Sequence, residues 1–168
     1  MRVGLYLLLA VGLLVGCLSL AGSSCRSGFT RVGDYCVAND YYKVGGIRTP
    51  MGMPEVNKLL VKTGMSLPTK ELVDRIWQEA TCRVKPQPMH WKTDYKVHDK
   101  VVNKQVGSCK GLTAGHKKDI IKQRKKGRVT IYGWHRPNGV PIQPVSSVHD
   151  ENYYDYSHGI RLVYLKGK

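Results

Sequence analysis

The chain has 168 residues, enough for one ordinary domain with its own core, and carries 27 Lys and Arg against 12 Asp and Glu, a formal net charge of +15. So large an excess disfavours cationic partners and favours an anionic polymer or surface: cell-wall glycan, nucleic acid or anionic lipid. Internal repeats and low-complexity linkers are absent from the sequence, and beyond residue 21 no apolar run is long enough to span a bilayer.

Met1-Arg2, followed by an apolar run from Val3 to about Ala21, has the charged and hydrophobic regions of a secretory signal, and Ala21-Gly22-Ser23 supplies a small-residue cleavage site. The expectation is a signal peptide over residues 1–23 and a secreted chain beyond it, with 26 basic against 12 acidic residues once Arg2 is removed. The alternative is a lipid anchor, because Leu14-Val15-Gly16-Cys17 resembles the lipobox of bacterial lipoproteins, whose cysteine is lipidated.

Cys25, Cys36, Cys82 and Cys109 remain, an even number that in an oxidising compartment predicts two disulfides. Of the three connectivities, Cys25 with Cys36 and Cys82 with Cys109 are favoured, since short loops close at least entropic cost. No CxxC spacing points instead to zinc.

Residues 24–50 are rich in turn formers, with Gly28, Gly33, Gly45, Gly46 and Pro50, and read as a disulfide-stapled N-terminal segment of short strands. A single α+β globular domain is predicted over 51–168, with a small antiparallel sheet packed against one or two helices. Pro54 to Val61 reads as a short helix with proline in its first turn and Gly64 as its stop. Thr69 can cap a second helix whose Leu72, Val73, Ile76, Trp77 and Ala80 line one face, with Trp77 as a packing residue. From Arg83 to Lys110, prolines 86 and 88 break the pattern, and Tyr95, Val97 and Val101-Val102 alternate as in short strands. The run 117–128 reads as a short helix ending at Gly127 or as a basic hairpin. Arg128 to Trp134 is a predicted strand, a long loop follows, and a second strand is expected from about Ile160 to Leu165.

The chemistry concentrates late in the chain. His116, His135, His149 and His158 lie there with Asp119, Asp150 and Asp155. His116 and Asp119 would share a face if their segment were helical. His135 leaves one predicted strand and His158 enters the next, so both would sit at one sheet end if those strands paired. His116, His135, His158 and Asp155 are therefore the candidate catalytic set. His116, Asp119 and His135 are the candidate ligands of one zinc-like divalent metal, since an open tetrahedral site needs three protein ligands, although no HExxH spacing is present. His149-Asp150 reads as a turn, and His90 and His98 as surface or hydrogen-bonded residues. Eight Lys or Arg between Lys110 and Arg128 face only Asp119, a run suited to steering an anionic polymer. Lys117, Lys118, Trp134, Tyr156 and Arg161 are the candidate substrate-binding residues, with Tyr153 and Tyr154 extending an aromatic surface.

Ser157-His158-Gly159-Ile160-Arg161-Leu162 resembles part of the signature of L,D-transpeptidases, secreted cell-wall enzymes, but lacks that signature's cysteine after the glycine. The resemblance implies a cell-wall context and carries over no thiolate chemistry. Gly115-His116-Lys117-Lys118-Asp119, Tyr132-Gly133-Trp134-His135 and Asp155-Tyr156-Ser157-His158-Gly159-Ile160-Arg161 also resemble motifs of uncharacterised exported proteins, mostly bacterial. The leading expectation is a secreted basic hydrolase, metal-assisted through the His/Asp cluster, acting on an anionic extracellular polymer such as cell-wall material. The alternatives are a metal-free nuclease using two histidines and a lysine, and a cationic toxin, defence or adhesion protein without catalysis.

Overall fold

The computed structural model describes residues 24–167. The proposed signal segment, its cleavage site and Cys17 lie outside the described residues. The elements in chain order are β1 (Phe29–Val32), β2 (Tyr35–Ala38), β3 (Lys43–Val44), β4 (Ile47–Arg48), α1 (Met53–Thr63), α2 (Lys70–Glu79), β5 (Cys82–Arg83), α3 (Tyr95–Val106), β6 (Thr113–Ala114), β7 (Lys118–Ile120), β8 (Ile131–His135), β9 (Pro141–Ser146), β10 (His158–Gly159) and β11 (Val163–Leu165). The fold is α+β, with small and mainly antiparallel sheets, three helices among the described residues, and the disulfides Cys25–Cys36 and Cys82–Cys109. These bonds suit an oxidising compartment, and no helix among the described residues is long and apolar enough to cross a membrane.

Each helix has a local cause. Pro54 occupies the first turn of α1, and Gly64 ends it at φ 65°, donating its N–H to the Leu60 carbonyl. Thr69 accepts a hydrogen bond from the Leu72 N–H at the start of α2. Leu72, Val73 and Ile76 of that helix are buried, and each contributes about 1.5–3 kcal/mol by leaving water, against about 1 kcal/mol for the cap. Packing therefore holds the helix, and the cap sets where it begins. The α1 face of Met53, Val56 and Leu59 packs on Ile120, Ile131, Ile160 and Leu162, while Leu72 and Ile76 pack with Val32, Val37, Leu112 and Val163.

The four-stranded sheet has the order β10-β7-β8-β9 and the three-stranded sheet β1-β2-β11. The strand expected near 160–165 thus begins at Val163 and pairs with β2, not with β8, so the N-terminal segment and the chain's end share one sheet. The segment 117–128 is not a helix. Lys118–Ile120 forms β7, and exposed Lys122, Arg124, Lys125 and Lys126 lie in the turn to antiparallel β8, as the hairpin reading has it. The short strands expected around Tyr95–Val102 are instead α3. Its buried residues are His98, Asp99 and Val102, so the inward face is mostly polar and lacks the apolar 3.6-residue period by which a helix is recognised.

β10 runs parallel to β7, pairing His158 with Lys118 and Gly159 with Asp119. Gly159 is required at this junction for space. A Cβ there would stand 2.5 Å from Tyr41 Cδ1 and 2.8 Å from Lys117 Cβ. Gly159→Ala should cost about 1–3 kcal/mol by overpacking. Urea denaturation checks this, and a variant as stable as the parent would mean that the ring and strand yield freely.

Candidate active site

Beneath β7 and β10 lies a layer of buried charge. The Arg48 guanidinium is 1% exposed and donates to Asp40 through Nε (2.9 Å) and Nη2 (2.6 Å), and through Nη1 to Asp99 (2.8 Å) and Asn103 (2.7 Å). His116 Nε2 lies 3.2 Å from the same Asp40 carboxylate. Burial opposes ionisation of Asp40, but the His116 and Arg48 contacts outweigh it and hold the carboxyl far below its ordinary range. Alongside, the Tyr41 hydroxyl donates to Asp119 Oδ2 (2.9 Å), whose Oδ1 faces Arg161 Nε at 3.7 Å. Arg161 is fully buried and donates to the carbonyls of Ala38 (2.7 Å) and Thr113 (2.8 Å).

Lys117 belongs to this layer as well. It is fully buried, donating to the Tyr156 carbonyl (2.6 Å) and to His98 Nδ1 (3.1 Å). Burial pulls its ammonium down to about 8. Lys117 and Arg161, expected to contact substrate, are thus interior groups, because strand alternation and the crossing of residues 160–162 turn them inward. Of the basic run, Lys110 and the cations of the 122–126 turn are exposed.

Lys118 reaches Asp155, which lines a cleft of about 310 Å³ between the start of α3 and residues 153–156. Trp91, Tyr95, Tyr153, Tyr154 and Tyr156 line it, together with the carboxylates of Asp94 and Asp155. Trp91 is 66% exposed. The segment carrying it is tied down by the Tyr156 hydroxyl, which accepts from the Met89 N–H (2.6 Å) and donates to the Met89 carbonyl (2.7 Å). Asp155 Oδ1 accepts from the Ser157 N–H (2.8 Å) and hydroxyl (2.5 Å), and Oδ2 from the Tyr153 hydroxyl (3.3 Å). Lys118 Nζ stands 3.7 Å and His158 Nε2 4.0 Å from this carboxylate. Burial would raise the Asp155 pKa, but the His158 charge where that ring is protonated, the Ser157 hydroxyl and Lys118 keep it below the ordinary range, so the group is ionised near neutral pH. His149 stacks on Tyr153 with ring centroids 3.9 Å apart, and Tyr153 meets His158 edge-on.

Trp134 is the one non-glycine residue at positive φ among the described residues, at 58° beside Gly133 at 103°, where the β8–β9 register shifts. Such a conformation costs about 1–3 kcal/mol and re-aims neighbouring side chains. Trp134 packs near Tyr156 under the Lys118 ammonium. His135, one residue on, contacts α2: its Nε2 lies 3.2 Å from Asp74 Oδ1 and its ring stacks on Trp77.

The histidines of the expected catalytic set are therefore divided. His116 meets Asp40, His135 meets Asp74, and only His158 stands with Asp155, together with Lys118, Trp134 and Tyr156. The proposed metal ligands His116, Asp119 and His135 do not form a cage, because each has a different protein partner. Among the described residues no group of three His, Cys, Asp or Glu is placed to hold a metal ion. Asp94, Trp91 and Tyr95 stand outside the candidate set because their segment reads as strands in the sequence; Asp94 is the side-chain cap of α3 and the local sequence signal of that helix's start. Comparison with protein-family models, curated proteins and solved structures gives no match.

The buried layer sets a pH dependence. Burial pulls His98, His116 and His158 each to about 4, so between about 6.5 and 4 the unfolded chain binds more protons at these sites and stability falls as pH falls. Burial raises Asp119 to about 6 and opposes this with one proton against three. Urea midpoints at pH 7 and pH 4.5 should show a clear loss at the lower pH, with net uptake of about two protons on unfolding. Equal midpoints would contradict neutral burial of the three rings.

Proposed function

We propose that the protein is a secreted glycan hydrolase acting on an anionic extracellular polymer of the cell-wall type, with the aromatic cleft as its substrate site. The observation that carries the reading is the pair of carboxylates, Asp94 and Asp155, in one cleft lined by five aromatic side chains. Flat aromatic faces accept the C–H faces of sugar rings, and tyrosine hydroxyls add hydrogen bonds at the rim. Two carboxylates are the usual minimum for glycosidic hydrolysis, one serving as base or nucleophile and the other as proton donor. Asp155 suits the first role. It is ionised, held by Ser157 and Tyr153, and backed by the Lys118 charge. Asp94 is the other carboxylate that lines the cleft, and the second role falls to it.

The net charge of +15 favours encounter with an anionic polymer, and the exposed turn cations lie where they can meet one. The disulfides agree with an extracellular setting. The His-pair nuclease reading has less support, since His116 and His158 are at most 1% exposed and neither lines the cleft. Metal assistance through His116, Asp119 and His135 has no convergent ligands behind it.

The test is release of reducing ends from purified peptidoglycan in excess chelator. The parent protein should be active, and Asp155→Asn and Asp94→Asn should each lose about 10²–10⁴-fold in kcat, the span of general acid–base catalysis. Trp91→Ala, at an exposed position, should raise KM more than it lowers kcat. An inactive parent, an Asp155→Asn variant with parental kcat, or cleavage of RNA in place of glycan would overturn the reading.

A further inference from the structure

His135 lines a second pocket, of about 110 Å³, with Trp77, Arg83, Val84, Lys85 and Pro137, none of which lines the aromatic cleft. No carboxylate lines it. The volume is well below the roughly 300 Å³ at which ordinary small-molecule sites begin, and suits a single compact group. Arg83 is fixed in place: Nε donates to the Trp77 carbonyl (3.0 Å), Nη2 to the Gln78 carbonyl (2.6 Å), and the guanidinium carbon lies 4.6 Å from the Trp77 ring centroid. Lys85 is exposed at the rim.

His135 is 4% exposed, and its ring is oriented from behind. Nε2 faces Asp74 Oδ1 at 3.2 Å, and that carboxylate also accepts from the Tyr132 hydroxyl (2.6 Å) and from Lys70 (2.7 Å). Burial would raise the Asp74 pKa, but Lys70, Tyr132 and His135 together lower it, so Asp74 is ionised and Nε2 carries the ring proton. Burial disfavours a second proton on the ring. Nδ1 is then a hydrogen-bond acceptor, on a ring that lines the same pocket as Arg83 and Lys85.

We infer that this pocket binds a phosphate group, inorganic or singly esterified, that still carries one proton, with its anionic oxygens on Arg83 and Lys85 and its P–OH donating to His135 Nδ1. An acceptor in a pocket that also holds two cations fits an anion that still has a proton to give. Sulfate and phosphodiesters carry none near neutral pH, and would set lone pair against lone pair at Nδ1. The site is separate from the cleft and independent of the glycan reading.

The test is titration of the intact protein at constant ionic strength near neutral pH with inorganic phosphate, glucose 6-phosphate, sulfate and dimethyl phosphate, following the His135 ring resonances and calorimetric heat. Phosphate and the sugar phosphate should bind one to one, and sulfate and dimethyl phosphate at least tenfold more weakly. Tighter binding of the sugar phosphate identifies an esterified ligand, and equal binding identifies the free anion. Lys85→Gln and Arg83→Gln, both at exposed positions, should each weaken phosphate at least tenfold. Absence of saturable binding, sulfate binding as well as phosphate, or a Lys85→Gln variant with parental affinity would overturn the assignment.

Discussion

Arg48 and Arg161 lie almost wholly out of water, and the structure is arranged around meeting their charge. Asp40 and Asp99 take Arg48 from two directions, while Asp119 and two carbonyls take Arg161. A buried ion costs several kcal/mol, and a well-packed apolar replacement for such a pair is often no less stable. What the charges supply is uniqueness of arrangement. Arg48 meets its carboxylates, and Arg161 its two carbonyls and the Asp119 charge, only when β4, α3, β7 and the chain at 160–162 dock in one way, and removal of one partner strands the other at about 3–5 kcal/mol.

That docking produces two outward-facing regions. Lys117, just before β7, and Lys118, its first residue, point opposite ways, so Lys117 enters the buried layer and Lys118 reaches Asp155. The parallel β7–β10 register, tight at Gly159, brings the 153–157 segment over the start of α3 and so forms the aromatic cleft. The irregularity at Gly133–Trp134 then parts the last strand residues, sending Trp134 toward Tyr156 and His135 toward Asp74. Adjacent residues of one motif thereby serve different surfaces.

Much of the fold could be read from the sequence wherever one strong local rule applied. Both disulfides, α1 with its proline and glycine, and α2 with its threonine cap follow from short-range chemistry. The α3 helix could not be read in the same way, because the side chains it buries are His98 and Asp99, and burial of polar residues is decided by distant partners such as Arg48 and Lys117. The same reason explains the site. Asp155, His158, Lys118, Trp134 and Tyr156 do assemble, but His116 and His135 leave the group, because their carboxylate partners Asp40 and Asp74 come from segments with no sequence proximity to them. Basic character likewise misled at Lys117 and Arg161. A charged side chain in a run has no local signal that says it faces inward.

The proposed function requires that the cleft, and not the α2 pocket, meets the polymer. The chain has three tryptophans, Trp77, Trp91 and Trp134, and their indole N–H resonances separate the cleft from the α2 pocket. Titration with a soluble β-linked N-acetylglucosamine oligomer should shift Trp91 saturably, move Trp134 less, and leave Trp77 in place. A saturable shift at Trp77 with Trp91 unmoved would contradict the assignment of the cleft as the substrate site.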